Sequence, residues 1–226
     1  MVAILTGPVF VAAVLIFVLG MIGRVAWYIR GLNWRLDRVA YEPFLSFGLK
    51  GGIHSAIKWL IPFATTGWRK NPLLALATFV FHLGAVMVLL FLMGHAVILR
   101  NTFGFSLPTI PQGMADVLTV LMLAGLVALI ARRLICVRAR SLSTPQDWFL
   151  LLLVLATAVS GFVSAHAGPW AEPVYIAHLI FGNLFLILAP FTKLSHMVLY
   201  FMSRIQIGMD FAIKRGGKTR GAWFPW

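Results

Sequence analysis

The chain has 226 residues, of which 61% are hydrophobic and only 11% are charged. A soluble globular domain carries about 25% charged residues, so both that class and a disordered chain are excluded. The single cysteine, Cys136, excludes a disulfide-rich secreted scaffold. Basic residues outnumber acidic ones 19 to 6, and in so apolar a chain this excess indicates membrane topology rather than nucleic-acid binding.

Five apolar segments follow one another along the chain: residues 8–29, 73–99, 114–136, 148–167 and 174–202. Each reaches or nearly reaches the roughly 20 residues that cross a bilayer. A span must satisfy its own backbone hydrogen bonds, so each is predicted to be a helix. The first segment lacks a basic leader and an A-x-A site, so no cleaved signal peptide is expected. The sequence predicts one all-α integral membrane domain over 1–226, with a tail at 203–226.

The basic residues predict the orientation of these spans. Eighteen of the 19 fall in the first connection, the third connection and the tail: Arg24, Arg30, Arg35, Arg38, Lys50, Lys58, Arg69, Lys70, Arg132, Arg133, Arg138, Arg140, Lys193, Arg204, Lys214, Arg215, Lys218 and Arg220. Arg100 alone falls on the other side. Because basic residues concentrate on the cytoplasmic side, the N-terminus is predicted outside and the C-terminus in the cytoplasm.

The first cytoplasmic connection contains an amphipathic stretch at residues 44–63. It mixes Phe, Leu, Ile and Trp with Lys50 and Lys58. This composition is typical of an interfacial helix that lies on the membrane. A docking surface for a cytoplasmic subunit is the alternative, and the two are compatible.

Four of the six histidines lie inside predicted spans, where ionisable residues are rare and usually functional. His82 and His95 are on the second span, and His178 and His196 are on the fifth, which runs in the opposite direction. The sequence therefore predicts two pairs at two depths. His82 and His196 share the cytoplasmic half, and His95 and His178 share the outer half.

The spacing of these histidines carries further expectations. His178 and His196 are 18 residues apart, which in one helix is five turns, one face and about 27 Å. His82 and His95 are 13 residues apart, about 20 Å of rise, with faces about 140° apart, so a tilt, a π-bulge or ligands approaching from different faces would be needed. Small residues that would leave clearance for a flat macrocycle lie nearby: Gly84, Gly94 and Gly182.

Paired neutral imidazoles are axial ligands of low-spin haem, which suits electron transfer. No C-x-x-C-H motif occurs, so the expected cofactors are two haem b groups rather than covalent haem c. The alternative is that each histidine only makes hydrogen bonds between helices. We expect His166 to be an interfacial polar residue, with a quinone pocket as its other candidate role. His54 is expected to be solvated or at a partner contact, and Cys136 to have no cofactor role.

The sequence around the histidines resembles the gamma subunit of respiratory nitrate reductase, a dihaem cytochrome b membrane anchor. The fifth span, from His178 to His196, is similar to the family pattern H-L-x-x-G…P-F-[ST]-[KR]-L-x-H. The second span, with Phe81-His82 to Gly84 and Gly94-His95, is similar to F-H-x-G…G-H. The third connection resembles the family at Arg132-Arg133-Leu134, Arg138-Ala139-Arg140, Ser143-Thr144 and Asp147. The resemblance covers about residues 20–38 and 73–205.

The resemblance implies five helices, two stacked b haems and quinol chemistry near the outer haem. His95 and His178 would hold the outer haem, and His82 and His196 the inner one. The chain looks most like the cytochrome b subunits of sulfate-reducer membrane redox complexes, the Hmc type first and the Tmc or Dsr type next. Those complexes imply the following partners: a cytoplasmic heterodisulfide-reductase-like iron–sulfur subunit, other membrane subunits and a periplasmic multihaem cytochrome c.

Two function classes remain open from the sequence. The first is a dihaem conduit in the bacterial inner membrane, carrying electrons between menaquinone or a periplasmic cytochrome and a cytoplasmic iron–sulfur subunit. The second is a haem-free anchor, scaffold or transporter subunit. The chain has no nucleotide, flavin or molybdenum signature, so terminal chemistry would belong to partners.

Arginines near the span ends are candidate ligands of anionic groups. Four arginines cluster where the third span ends: Arg132, Arg133, Arg138 and Arg140. They would contact inner-haem propionates or acidic patches of a partner, with ordinary positive-inside charge as the alternative. On the outer side, Arg100 would pair with Asp116, bind an outer-haem propionate, stabilise a semiquinone anion or contact lipid phosphate. The outer ends of the spans offer few other polar groups: His95, Asp116, His166 and Glu172.

Overall fold

The structure is a computed structural model that describes residues 1–32 and 45–214. Within these ranges the chain is helical and contains no β-strand. The helices are α1 (Val2–Thr6), α2 (Pro8–Arg30), α3 (Leu45–Leu60), α4 (Thr66–Lys70), α5 (Pro72–Phe91), α6 (Met93–Phe103), α7 (Gln112–Ile135), α8 (Val137–Ser141), α9 (Pro145–His166), α10 (Ala171–Leu188) and α11 (His196–Lys214).

Five helical segments in the described ranges are long and apolar enough to cross a membrane: Val2–Arg30, Pro72–Phe91, Gln112–Ile135, Pro145–His166 and Gly168–Phe191. Their large apolar side chains are widely exposed, for example Leu19 at 65% and Leu73 at 83%. Such surfaces are unfavourable in water and favourable in hydrocarbon. The prediction of an all-α protein with five candidate spans is confirmed, while the direction of the spans stays a prediction.

The second apolar segment is not one helix, as residues 73–99 were predicted to be. The helix breaks at Leu92, whose φ of −68° and ψ of 135° are extended, and α6 begins at Met93. A helix end leaves carbonyls of the preceding turn without amide partners. Nδ1 of His95 lies 3.0 Å from the Leu89 carbonyl oxygen and replaces its missing amide donor. The same nitrogen lies 3.1 Å from the Val88 carbonyl oxygen, which also accepts from the Leu92 amide.

The prediction of one continuous helix over residues 174–202 is also wrong. α10 ends at Leu188, two 3₁₀ turns follow at Ala189–Phe191 and Lys193–Ser195, and α11 begins only at His196. Pro190 has no amide hydrogen to donate to the preceding turn, and Thr192 is extended. His178 and His196 are therefore on different helices, and the argument that five regular turns place them on one face fails.

One compact unit comprises Met1–Val18 and Leu76–Lys193. In it α10 packs against α1 and α9, and α9 packs against α7. Glycines allow α5 and α7 to approach closely. A Cβ at Gly84 would lie 2.6 Å from the Leu118 carbonyl oxygen, and one at Gly125 would lie 2.8 Å from that of Ala77. Small residues at such crossings are typical of membrane helix pairs.

The second compact unit is formed by the described residues of Leu19–Ala75 and Leu194–Trp226, and in it α3 packs against α11. The buried face of α3 consists of small residues: Gly48, Gly51, Gly52, Ser55 and Ala56. On α11, Gly208 contacts the Gly51 carbonyl, and a Cβ at Gly51 would lie 2.6 Å from Cβ of Ala212. This small-residue interface joins the two helices.

The opposite face of α3 is apolar and exposed, through Leu45, Leu49, Ile53 and Ile57 at 43–54%. This pattern fits the predicted amphipathic helix at 44–63, although α3 ends at Leu60 and Phe44 lies outside the described residues. Its position on a membrane surface stays a prediction. The basic residues Arg35, Arg38, Arg215, Lys218 and Arg220 also lie outside the described ranges.

Candidate functional site

The structure brings together the predicted outer pair, His95 on α6 and His178 on α10. Their ring centroids are 6.1 Å apart and the ring planes differ by 13°. Two imidazoles bound to one iron would place their centroids about 6 Å apart. This distance is the sum of two metal–nitrogen bonds of roughly 2 Å and the distance from each nitrogen to its own ring centroid. The separation therefore fits a bis-histidine haem. In residues 1–32 and 45–214, no three His, Cys, Asp or Glu side chains lie close enough together to hold a metal ion. Haem iron, however, needs only two protein ligands.

Hydrogen bonds to Nδ1 fix the tautomer of both imidazoles, and this tautomer is the one that can bind haem iron through Nε2. Nδ1 of His178 lies 3.0 Å from the Thr157 carbonyl oxygen, and Nδ1 of His95 faces the carbonyls of the broken helix end. A carbonyl only accepts, so Nδ1 carries the proton and donates in each ring. The proton-free nitrogen is then Nε2, the atom available to a metal.

The His178 imidazole packs against α9 at Gly161, and we call this position the seat of His178. Gly161 is not among the site residues predicted from the sequence. A Cβ at this position would lie 2.8 Å from Cε1 and 2.9 Å from Nδ1 of the imidazole. Any larger residue would therefore displace the ring. A glycine inside a helix costs about 1 kcal/mol relative to alanine, which was a signal that this one has a packing role. Thr157, whose carbonyl accepts from His178, gave no comparable signal.

The three predicted clearance glycines differ in their surroundings. A Cβ added at Gly94 or Gly182 would meet no described atom within 4 Å, so both leave open space. Gly84 is buried against α7 and serves helix packing. Gly94 precedes His95, and Gly182 lies about one helical turn after His178. A macrocycle held by these two histidines would need room there.

The predicted inner ligands lie in different compact units. His82 is a residue of α5, and its Nδ1 lies 2.7 Å from the Thr78 carbonyl oxygen. Because a carbonyl oxygen only accepts, Nδ1 carries the proton of this imidazole. His196 is the first residue of α11 and is exposed. The pairing of His82 with His196 stays a prediction.

A small cluster of polar side chains surrounds Asp116, near the start of α7 and the end of α9. Gln112 donates a 2.8 Å hydrogen bond to this carboxylate, and Nε2 of His166 lies 3.5 Å from it. Pairing with Asp116 was one of four alternatives for Arg100, and the contacts of Asp116 that the structure shows are with Gln112 and His166. The exposed Arg100 side chain donates no hydrogen bond to any residue that the structure describes.

A basic pocket of about 300 Å³ lies where α7, α8, α9 and the end of the fifth span meet. Its lining residues are Arg132, Arg133, Arg138, Ala139, Leu142, Asp147 and Lys193. Lys193 forms a 2.7 Å ion pair with Asp147, and Arg133 donates a 2.8 Å hydrogen bond to the Ser143 hydroxyl. Both predicted arginines, Arg132 and Arg133, thus line one cavity.

The two remaining candidates lie apart from the histidine pair in sequence. His54 is on α3, where partial burial and the nearby Lys58 lower the pKa of its imidazole, so it is neutral at pH 7. Cys136 is a free, half-buried thiol between α7 and α8.

A protein of Nitratidesulfovibrio vulgaris (strain Hildenborough) is 56% identical to this chain over 227 residues, covering 100% of both. The chain belongs to the family of that protein. It is also similar to a subunit of the dihydromethanophenazine:CoB–CoM heterodisulfide reductase of Methanosarcina barkeri (strain Fusaro). That similarity is 29% identity over 139 residues and spans 52% of this chain and 53% of the relative. No protein-family model matches the chain.

Proposed function

We propose that this protein is a dihaem b membrane subunit of a respiratory redox complex. The observation that carries the proposal is the close pair of His95 and His178. Their ring centroids are 6.1 Å apart, and the Nδ1 atom of each ring lies within hydrogen-bond distance of a backbone carbonyl oxygen. The partial similarity to a heterodisulfide reductase subunit supports membership of a redox complex. The exposed apolar surfaces of the five candidate spans support a location in a membrane.

In this proposal His95 and His178 hold the outer haem, and His82 and His196 hold the inner one. Thr157 and Gly161 orient His178, while the broken helix end orients His95. Bound haem supplies a one-electron carrier whose potential depends on its axial ligands and their hydrogen bonds. Gly94 and Gly182, close to these two histidines in the sequence, are positions where an added Cβ would meet no neighbouring atom within 4 Å.

The proposed route joins the two sides of the bacterial inner membrane. Electrons pass between menaquinone or a periplasmic multihaem cytochrome c and a cytoplasmic iron–sulfur subunit of the heterodisulfide-reductase type. The similarity to the Methanosarcina reductase subunit and the resemblance to sulfate-reducer cytochrome b subunits support this choice of partners. The predicted cytoplasmic side is strongly basic, which suits an acidic docking partner.

A reduced-minus-oxidised spectrum and a pyridine haemochrome assay of the purified chain test the proposal. We expect a b-type α band and two haems per chain. Replacing His95 or His178 with Ala removes one axial bond to the outer haem and should leave about one haem. His196→Ala should also leave about one, through loss of the inner haem.

The matched control is His166→Ala, which removes a histidine near the end of a span but outside both pairs. It should retain both haems. A wild-type chain without an α band would overturn the haem proposal and favour the haem-free anchor or transporter. One haem per wild-type chain would refute the assignment of two pairs.

A further inference from the structure

The basic pocket lies at the ends of three candidate spans. Arg132 and Arg133 are in the last turn of α7, Asp147 is in the first turn of α9, and Lys193 follows the fifth span, which ends at Phe191. Residues at the ends of membrane spans lie at the depth of the lipid headgroups. A ligand of this pocket is therefore drawn from that layer or from the adjoining water.

The pocket has an excess of positive charge that none of the residues placed by the structure neutralises. Its single carboxylate, Asp147, is paired with Lys193, which leaves three guanidinium groups. Arg133 is tied to Ser143 by one hydrogen bond. The guanidinium groups of Arg132 and Arg138 donate no hydrogen bond to any residue that the structure describes. Guanidinium forks match the oxygens of a phosphate group.

Exposed apolar side chains occur in the lining of this cavity and next to its arginines in the sequence. Leu142, which lines the pocket, is 81% exposed, and the adjacent Ile135 and Val137 are 80% and 66% exposed. Exposed apolar side chains of this size favour burial against hydrocarbon. A cationic cavity beside such side chains matches an amphiphile with an anionic head and an apolar tail.

We propose that this pocket binds the phosphate headgroup of an anionic membrane phospholipid. Arg132, Arg133 and Arg138 bind the phosphate oxygens, and Leu142 with Ile135 contacts the adjoining acyl chain. The Asp147–Lys193 pair closes the remaining side and holds the end of the fifth span against α9. This inference concerns a structural lipid and does not depend on the proposed haems.

Native mass spectrometry of the full-length protein in neutral detergent tests the proposal. Cardiolipin, phosphatidylglycerol and the zwitterionic phosphatidylcholine are titrated separately. We expect retention of the two anionic lipids, and Arg132→Gln/Arg138→Gln should weaken their binding at least about tenfold, because each basic residue contributes about 1 kcal/mol. The control Arg69→Gln/Lys70→Gln removes the same charge from residues of α4, outside the pocket, and should bind like the wild type.

Two further arms distinguish a lipid from other anions. Leu142→Ser removes only the apolar contact, so it should weaken lipid binding while leaving any binding of inorganic phosphate unchanged. Arg138→Gln alone is an exposed single change that keeps the experiment informative if the double variant does not fold. The haem content of every variant is measured in parallel.

Three outcomes would overturn the proposal. Equal binding of anionic lipid by the wild type and the Arg132/Arg138 variant would remove the site. Phosphate binding with no effect of Leu142→Ser on lipid would identify a soluble anion as the ligand. Loss of haem, or of an acidic partner subunit, at unchanged lipid binding would assign the arginines to a propionate or to docking.

Discussion

The orientation of the His178 imidazole is determined by a neighbouring helix. Its Nδ1 donates to a carbonyl of α9, and the same helix lacks a side chain at Gly161, so that the ring can approach its backbone. A ring held by one hydrogen bond and one close contact loses little further freedom when it binds a metal. At the Leu92 break, the carbonyl oxygens of Val88 and Leu89 orient His95 through hydrogen bonds.

Substitution of Gly161 tests this seat without removing a ligand. In Gly161→Ala the new Cβ would overlap Cε1 and Nδ1 of His178, so the ring must move and the outer haem should be lost or bound weakly. We expect haem content to fall to about half in a pyridine haemochrome assay. Gly23→Ala, in open space on α2, is the control and should keep both haems. Full haem content in Gly161→Ala would show that the seat is not needed.

Arg100 is the basic residue that the topology assigns to the outer side. Its side chain is exposed, and Asp116 is already paired with Gln112 and His166. It lies about 7–8 Å beyond His95 along α6. If it binds a quinone near the outer haem, Arg100→Ala should slow haem reduction by a menaquinol analogue severalfold while both haems remain bound. Stopped-flow reduction at limiting and saturating quinol measures this, and unchanged kinetics would remove Arg100 from the site.

At the scale of helices, two breaks determine how the histidines are presented. The break at Leu92 separates His82 from His95, so the predicted difference of about 140° in a regular helix no longer describes their directions. The break around Pro190 separates His178 from His196 in the same manner. Pro190 was visible in the sequence as a helix breaker, whereas Leu92 is a good helix former and gave no warning.

The α3–α11 interface depends on the absence of a side chain at Gly208. The ideal Cβ there would contact the Gly51 carbonyl and the Gly52 Cα, both backbone atoms that cannot move aside cheaply. Gly208→Leu should therefore destabilise the protein by about 1–3 kcal/mol. Thermal unfolding in detergent measures the change, with Gly23→Leu as a control at an open helix position. An unchanged unfolding temperature would mean that α3 and α11 contribute nothing to stability.

At the scale of the whole molecule, charge and apolar surface are distributed as a membrane requires. The candidate spans expose large apolar side chains, and 18 of 19 basic residues are predicted on one side. Residues at the span ends carry the polar contacts: Lys193 with Asp147 at the basic end, and His166 with Asp116 at the other.

The lone cysteine provides a native probe of the predicted topology. Cys136 ends the third span and should face the cytoplasm. A membrane-impermeant maleimide should therefore label it in inverted vesicles and not in intact spheroplasts. As a control, Ser106→Cys in a Cys136→Ser background places a thiol in the exposed connection after α6 and should give the reverse pattern. Labelling of Cys136 in intact spheroplasts would invert the assigned orientation.

The sequence by itself determined the properties that depend on local composition. Hydropathy placed five helices, because about 20 apolar residues suffice to identify a span wherever it packs. Opposite span directions predicted that His95 and His178 share one depth, and the structure places their rings 6.1 Å apart. Only the tertiary structure decided the Leu92 break, the Gly161 seat, the Asp116–His166 contact and the basic pocket. The last three depend on atoms contributed by different parts of the chain, and hydrophobic periodicity carries no information about which distant residues meet.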